Sequence, residues 1–238
     1  MVRFLAIVAI AITSVTVHAS RRTDGLVNPV VQWDTSPLAG RSRAALDGSA
    51  ASTISVGVFA PADVTESLLT RVFDEANAIW APAGVTLDWH RITSNDMDRR
   101  WRVTVTIEDD GQDSAEQGGP LGRVPFTAHG PLPSIWLSRS NAEALIRRTS
   151  GGIEATTFGS EILMGRALGR ALSHELGHYL LKSKMHSRQG LMRARWPSNE
   201  LLSMDRRGFE LTAQERAAAE QLATGPDEAH PRLDGQCV

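Results

Sequence analysis

Residues 162–181 read ILMGRALGRALSHELGHYLL, twenty positions without a proline. Leu168, Leu172, Leu176 and Leu180 recur every fourth residue, and Ala167, Ala171, His174 and His178 form a neighbouring row. Rows at that period share faces of an α-helix, so the stretch predicts a helix buried on more than one side. Side chains four apart sit one above the other, and His174 and His178 can aim imidazole nitrogens at one point in space. Glu175 lies about 100° further round, near that point but off that face. Two neutral nitrogens can hold a zinc ion while a carboxylate takes a proton from the ion's water, which is the division of labour that hydrolysis needs. With seven histidines in the chain, a His-Glu-x-x-His pattern arises by chance in roughly one such chain in a hundred.

A catalytic zinc commonly has three protein ligands and one open position. Eight residues past His178, beyond the polar break Lys182-Ser183-Lys184, comes His186. Eight residues exceed two helical turns, so the helix must end and the chain must swing an imidazole back. His186 is the expected third ligand. Its competitor is Glu200, 22 residues past His178 within SNELLSMD, because a glutamate on a following helix can complete such a site. His90, His129 and His230 lack helpful spacing. Tyr179 adjoins a ligand, and packing in the core is its expected role.

The first 19 residues, MVRFLAIVAIAITSVTVHA, carry Arg3, an apolar run from Phe4, and small residues at Val17 and Ala19. That is the pattern of a secretory signal peptide, so an exported protein, periplasmic or extracellular, is expected. No later stretch is apolar for long enough to span a bilayer, and no stable membrane insertion is expected after signal removal. Residues 20–51, rich in Ser, Arg, Gly, Ala and Pro, read as a flexible mature N-terminus, residues 52–224 as one catalytic domain, and 225–238 as a loose tail. Cys237, the single cysteine, stands in that tail and has no partner within the chain. A hydrophobic fraction of 42% is enough for a core without disulfides. The net charge is −2 and the arginines are scattered among acids, which excludes a nucleic-acid surface. A monomer acting on a peptide or protein substrate is expected.

Alternation over Ile54, Val56 and Val58 predicts a strand closed by Pro61. Asp63, with Glu66 three residues on, predicts a helix start. Leu68, Leu69, Val72, Phe73, Ala76, Ile79 and Trp80 form its apolar face, and Pro82 and Gly84 end it. Val85, Leu87 and Trp89, then Val103, Val105 and Ile107, predict two further strands, and strand–helix–strand order favours a parallel pair. The acidic segment EDDGQDSAEQGG reads as a solvated loop. LGRVPFTAHG, interrupted by Pro125, predicts an edge strand, PSIWLS predicts another strand, and TSGGIEATTFGS a loop into the motif helix. A short helix near Asn199–Ser203 and a last one with a Thr212–Glu215 capping box complete the reading.

With these residues, the chain resembles the metzincin clan of zinc endopeptidases, whose signature is His-Glu-x-x-His-x-x-Gly-x-x-His followed by a methionine turn. His174, Glu175 and His178 match; Leu181 takes the glycine position, Lys184 the third-histidine position, and His186 comes two residues late. Met192, after Gly190-Leu191, looks like the methionine of that turn. The resemblance implies an α+β zincin-like fold: a mixed, mostly parallel sheet of four to five strands packed on two long helices, with the active-site helix followed by a small C-terminal helical subdomain. It implies a cleft near 183–192, lined by the edge strand near Leu121–Thr127. It also implies a secreted zinc-dependent endopeptidase that binds Zn²⁺ through His174, His178 and His186 and uses Glu175 as general base. Asn199-Glu200 is similar to a pair in thermolysin-like enzymes, which keeps open a gluzincin-type hydrolase with Glu200 as ligand. The stretched spacing before His186 keeps open a secreted zinc-binding module without turnover.

Overall fold

Strands rich in valine and isoleucine lie side by side, because each turns alternate side chains to one face. In the computed structural model, which describes residues 52–93, 96, 101–109, 119–149 and 157–223, β1 is Ser52–Phe59, β2 Val85–Arg91 and β3 Val103–Glu108. The expected signal peptide, the mature N-terminus, most of the acidic loop, the tail from 225, His230 and Cys237 lie outside the described residues. Strand β1 pairs in parallel with β2, Ser52 opposite Val85, and with β3, Val56 opposite Val103. Strand β7, Ser134–Ser138, runs parallel to β3, and the two-residue β4, Gly122–Arg123, closes that edge antiparallel to β7. The sheet order is β2-β1-β3-β7-β4, a five-stranded and mostly parallel sheet as the sequence predicts.

Pro125 divides the predicted edge strand. Beyond it, β5, Phe126–Thr127, leaves the main sheet and pairs only with β6, Gly130–Pro131. A proline has no N–H for a ladder, so the edge ends at Arg123.

Helix α1, Glu66–Trp80, buries every residue of its predicted apolar face. Its N-cap is Thr65, not Asp63: the Thr65 hydroxyl accepts from the Leu68 N–H at 3.1 Å, while Asp63 pairs with Arg139 at 2.7 Å. Thr65 has the advantage of spacing, since a cap oxygen reaches the N–H three residues on. Asn77 of α1 exchanges two hydrogen bonds with the backbone of Leu87, fastening helix to strand.

Helix α2, Arg139–Thr149, follows β7 directly and is absent from the sequence reading. Its mean character is polar, and only Asn141, Ala142, Ala144 and Ile146 turn inward. Helix α3, Thr157–Leu180, carries the motif and starts five residues before the apolar stretch. Leu168, Leu172 and Leu176 meet the α1 face and the sheet valines in one core. Burying each such side chain stabilises by about 1.5–3 kcal/mol. Helices α4, Ser198–Leu202, and α5, Ala213–Ala223, form the C-terminal part. Glu215 accepts from the Thr212 N–H at 2.8 Å and Thr212 from the Glu215 N–H at 3.3 Å, so the predicted capping box is present.

One charged side chain is sunk between α3 and this C-terminal part. Arg170 is 1% exposed, and its Nε donates to Glu75 at 2.8 Å. Its two terminal nitrogens donate to the carbonyls of Glu200, Leu201, Ser203 and Asp205. All five guanidinium N–H groups are thus satisfied. The other Glu75 oxygen accepts from Arg206 at 2.7 Å, and the Phe209 ring centre lies 4.3 Å from the Arg170 guanidinium carbon. Breaking one partner of such a buried pair costs about 3–5 kcal/mol.

Candidate metal centre and cleft

The motif histidines stand on α3 at the i and i+4 positions, both 7% exposed. Their Nε2 atoms lie 3.1 Å apart. His174 Nδ1 donates to the Leu191 carbonyl at 2.9 Å, and His178 Nδ1 to the Ser183 carbonyl at 2.7 Å. A carbonyl can only accept, so each Nδ1 carries the proton and each Nε2 presents a lone pair.

Helix α3 ends at Leu180 because Lys182 takes φ +49° and the Ser183 N–H turns back to the His178 carbonyl at 3.2 Å. That reversal returns His186 over the helix. Its ring stacks on His174 with centres 5.3 Å apart and stands edge-on to His178 at 4.9 Å. One nitrogen from each of His174, His178 and His186 falls within a group spanning 4.8 Å. His186 itself is exposed.

Glu200 is not part of that group. Its Oε1 pairs with Arg193 at 2.6 Å, so a nearby cation already holds the carboxylate. His90 pairs with Asp88, and Tyr179 donates to the Arg102 carbonyl at 3.1 Å, the core role expected of it. His129 lies exposed in the turn between β5 and β6.

Beneath the helix, Met192 is 2% exposed and its sulfur rests against Gly177, which lies between the two helix histidines. The turn that carries it is fastened by Leu191 N–H to Glu210 at 2.9 Å and Ser187 N–H to Met192 at 2.8 Å. Trp196, which the sequence reading did not single out as a site residue, sets its ring edge-on to His174 at 5.1 Å and stacks on Phe209 at 5.3 Å.

Glu175 is 8% exposed and lines the same cleft. Burial pushes its carboxyl up to about 7, and a backbone hydrogen bond from Val124 pulls weakly the other way. A Cβ on Gly122 would approach Glu175 Cγ to 2.9 Å, so the edge strand lies directly on this carboxyl and needs a bare α-carbon there. Neither Gly122 nor Val124 carries a sequence signal for this role. The cleft, about 860 Å³, runs from Leu121–Phe126 past the histidines to Trp196 and α2, wider than the predicted 183–192.

These residues fit a zinc ion. Two nitrogens each about 2.0–2.1 Å from a tetrahedral ion lie ~3.3 Å apart, close to the observed separation. Burial holds His174 down to about 4 and lowers His178 as well, so both are neutral near pH 7, as ligands must be. Two lone pairs facing each other in a buried site repel unless a cation stands between them, and each Nδ1–H bonded to a carbonyl is the outer support that metal-binding histidines use.

No family model matches the sequence, and no curated protein matches it. Among solved structures, archaemetzincin from Methanopyrus kandleri is 10% identical, with a TM-score of 0.41 over 74% of this chain and 98% of its own. Metalloproteinase-II from Bacteroides fragilis is 10% identical, with a TM-score of 0.44 over 74% of this chain. The chain spans 55% of that second protein's length.

Proposed function

We propose that the protein is a zinc-dependent endopeptidase, exported by its N-terminal segment. The observation that carries the reading is the meeting of three histidine nitrogens within 4.8 Å in a cleft that Glu175 also lines. His174, His178 and His186 would hold the ion. When bound, zinc would supply Lewis acidity, lowering the pKa of a water and drawing charge from a peptide carbonyl. Glu175 takes the water's proton on its carboxylate as the oxygen joins the carbonyl carbon, then gives it to the departing amide nitrogen as the C–N bond breaks. The Leu191 and Ser183 carbonyls fix the ring orientations, and the open edge of β4 offers backbone groups to an extended peptide.

A gluzincin-type site is the weaker reading because Glu200 is engaged by Arg193. A binding module without turnover is also weaker, because it has no use for a buried carboxylate beside the histidines. The test is cleavage of casein or gelatin by the mature protein with and without chelator, alongside Glu175→Ala. Zinc-dependent cleavage lost in the variant is expected; chelator-insensitive cleavage, or an unimpaired variant, overturns the mechanism.

A further inference from the structure

The cleft is charged against the trend of the chain. The sequence has a net charge of −2, yet the described side chains around the cleft include Arg123, Arg148, Lys184 and Arg195 against one acid, the buried Glu175. The four cations come from four different segments: β4, the end of α2, the loop after α3 and the stretch before α4. All four are exposed.

Lys184 and Arg195 line the same cleft as the histidines. Lys184 Nζ sits 5.0 Å from the centre of the Phe126 ring, which stands 6.3 Å from His178. Arg195 adjoins Trp196, whose ring touches His174. Among the described residues neither cation has a salt-bridge partner. Arg123 shares Glu108 at 3.3 Å but stays 60% exposed, its guanidinium over Trp136 at 5.3 Å. Aromatic faces under two of the cations keep the stems down and the charged heads in water. A concave site lined by one sign of charge focuses the field and concentrates ligands of the other sign.

We propose that this cleft selects acidic peptides, those that carry Asp or Glu side chains near the bond to be cut. The proposal rests on the peptidase reading of the site for what happens next, but not for binding. Exposed ion pairs are individually weak, and several together give about tenfold discrimination.

The experiment measures fluorescence anisotropy of short labelled peptides, a neutral centre flanked by Glu, Gln or Lys, on the full-length Glu175→Gln protein. At about 50 mM salt the Glu peptide should bind about tenfold tighter than the Lys peptide, and at about 500 mM the gap should narrow. Lys184→Glu with Arg195→Glu should erase or invert the order, and Arg195→Glu alone, set apart from the ligand loop, should move it the same way. Equal binding of all three peptides, no binding of any, or an order unchanged in the variants overturns the proposal. Cleavage of the same peptides by the wild type is read separately. The expected binding order without cleavage sinks the peptidase reading alone, whereas cleavage indifferent to flanking charge sinks the acidic preference alone.

Discussion

The sulfur of Met192 rests on the bare α-carbon of Gly177, in the turn of helix between His174 and His178, where a Cβ would collide with it. Gly177→Ala should therefore force the methionine turn away from the helix. Overpacking of this kind costs about 1–3 kcal/mol, and Met192→Ala alone costs about 2–5 kcal/mol by leaving a cavity. In Gly177→Ala with Met192→Ala the new methyl has room, so the double loss should be smaller than the sum by at least about 0.5 kcal/mol. Urea unfolding of the four proteins in chelator measures the cycle; strict additivity would mean that the two residues do not press on each other.

The wild type should carry about one zinc per chain after dialysis, and His174→Ala, His178→Ala and His186→Ala far less. Glu200→Gln should keep its zinc and lose only a partly exposed ion pair, worth about 1 kcal/mol or less. The reverse result, zinc retained without His186 and lost without Glu200, would hand the third position to the carboxylate. Free zinc at a hundred times its Kd should stabilise the fold by about 2.7 kcal/mol over the chelated form.

Gly122→Val tests the edge strand as a support for Glu175. A Cβ there meets Glu175 Cγ at 2.9 Å and Leu137 Cδ2 at 3.3 Å, and no histidine is among its three nearest atoms. Turnover should fall about a hundredfold, the effect of a displacement near 1 Å, with zinc content unchanged. Normal turnover in this variant would show that β4 does not position the carboxyl.

Acidity separates the wild type from Glu175→Gln in the metal-free protein. The folded Glu175 carboxyl is raised from its ordinary 4.5 to about 7, so between those values the folded chain keeps a proton that the unfolded chain has lost. Wild-type stability, relative to the glutamine variant, should therefore be greatest below 4.5 and fall as pH rises to about 7, by about 3 kcal/mol in all. The lowered His174 and His178 act oppositely, removing stability as pH falls below 6.5, but equally in both proteins. A difference between the two denaturation midpoints that does not change with pH would contradict the buried carboxyl.

The helix and its three chemical residues were legible because period and spacing are local properties. Leu168, Leu172 and Leu176 announce burial, and His174 and His178 announce a shared face, within one segment. The same holds for β1, α1 and the Thr212–Glu215 box. Helix α2 was not legible because its inward residues are two alanines, an asparagine and one isoleucine, too weak a stripe to stand above its arginines. The N-cap at Thr65 lost to Asp63 on residue preference, but Thr65 is the one that reaches the Leu68 N–H, and Asp63 pairs with Arg139, 76 positions away. Gly122, Val124 and Trp196 reach the site only through tertiary contact. The expected signal peptide and the acidic loop rest on sequence alone.

Arg170 makes the metal helix dependent on chain synthesised after it. Four of its hydrogen-bond acceptors are carbonyls between Glu200 and Asp205, and one turn further along the same helix stands His174. A chain cut off before Glu200 would keep His174, His178 and His186 yet lose the four carbonyls that accept from Arg170. Such a product is expected to be less stable, because the helix loses the partners of its buried guanidinium. The order of synthesis therefore bears on the site: the helix that carries His174 and His178 gains the full set of buried Arg170 hydrogen bonds only after residues 200–205 have been made.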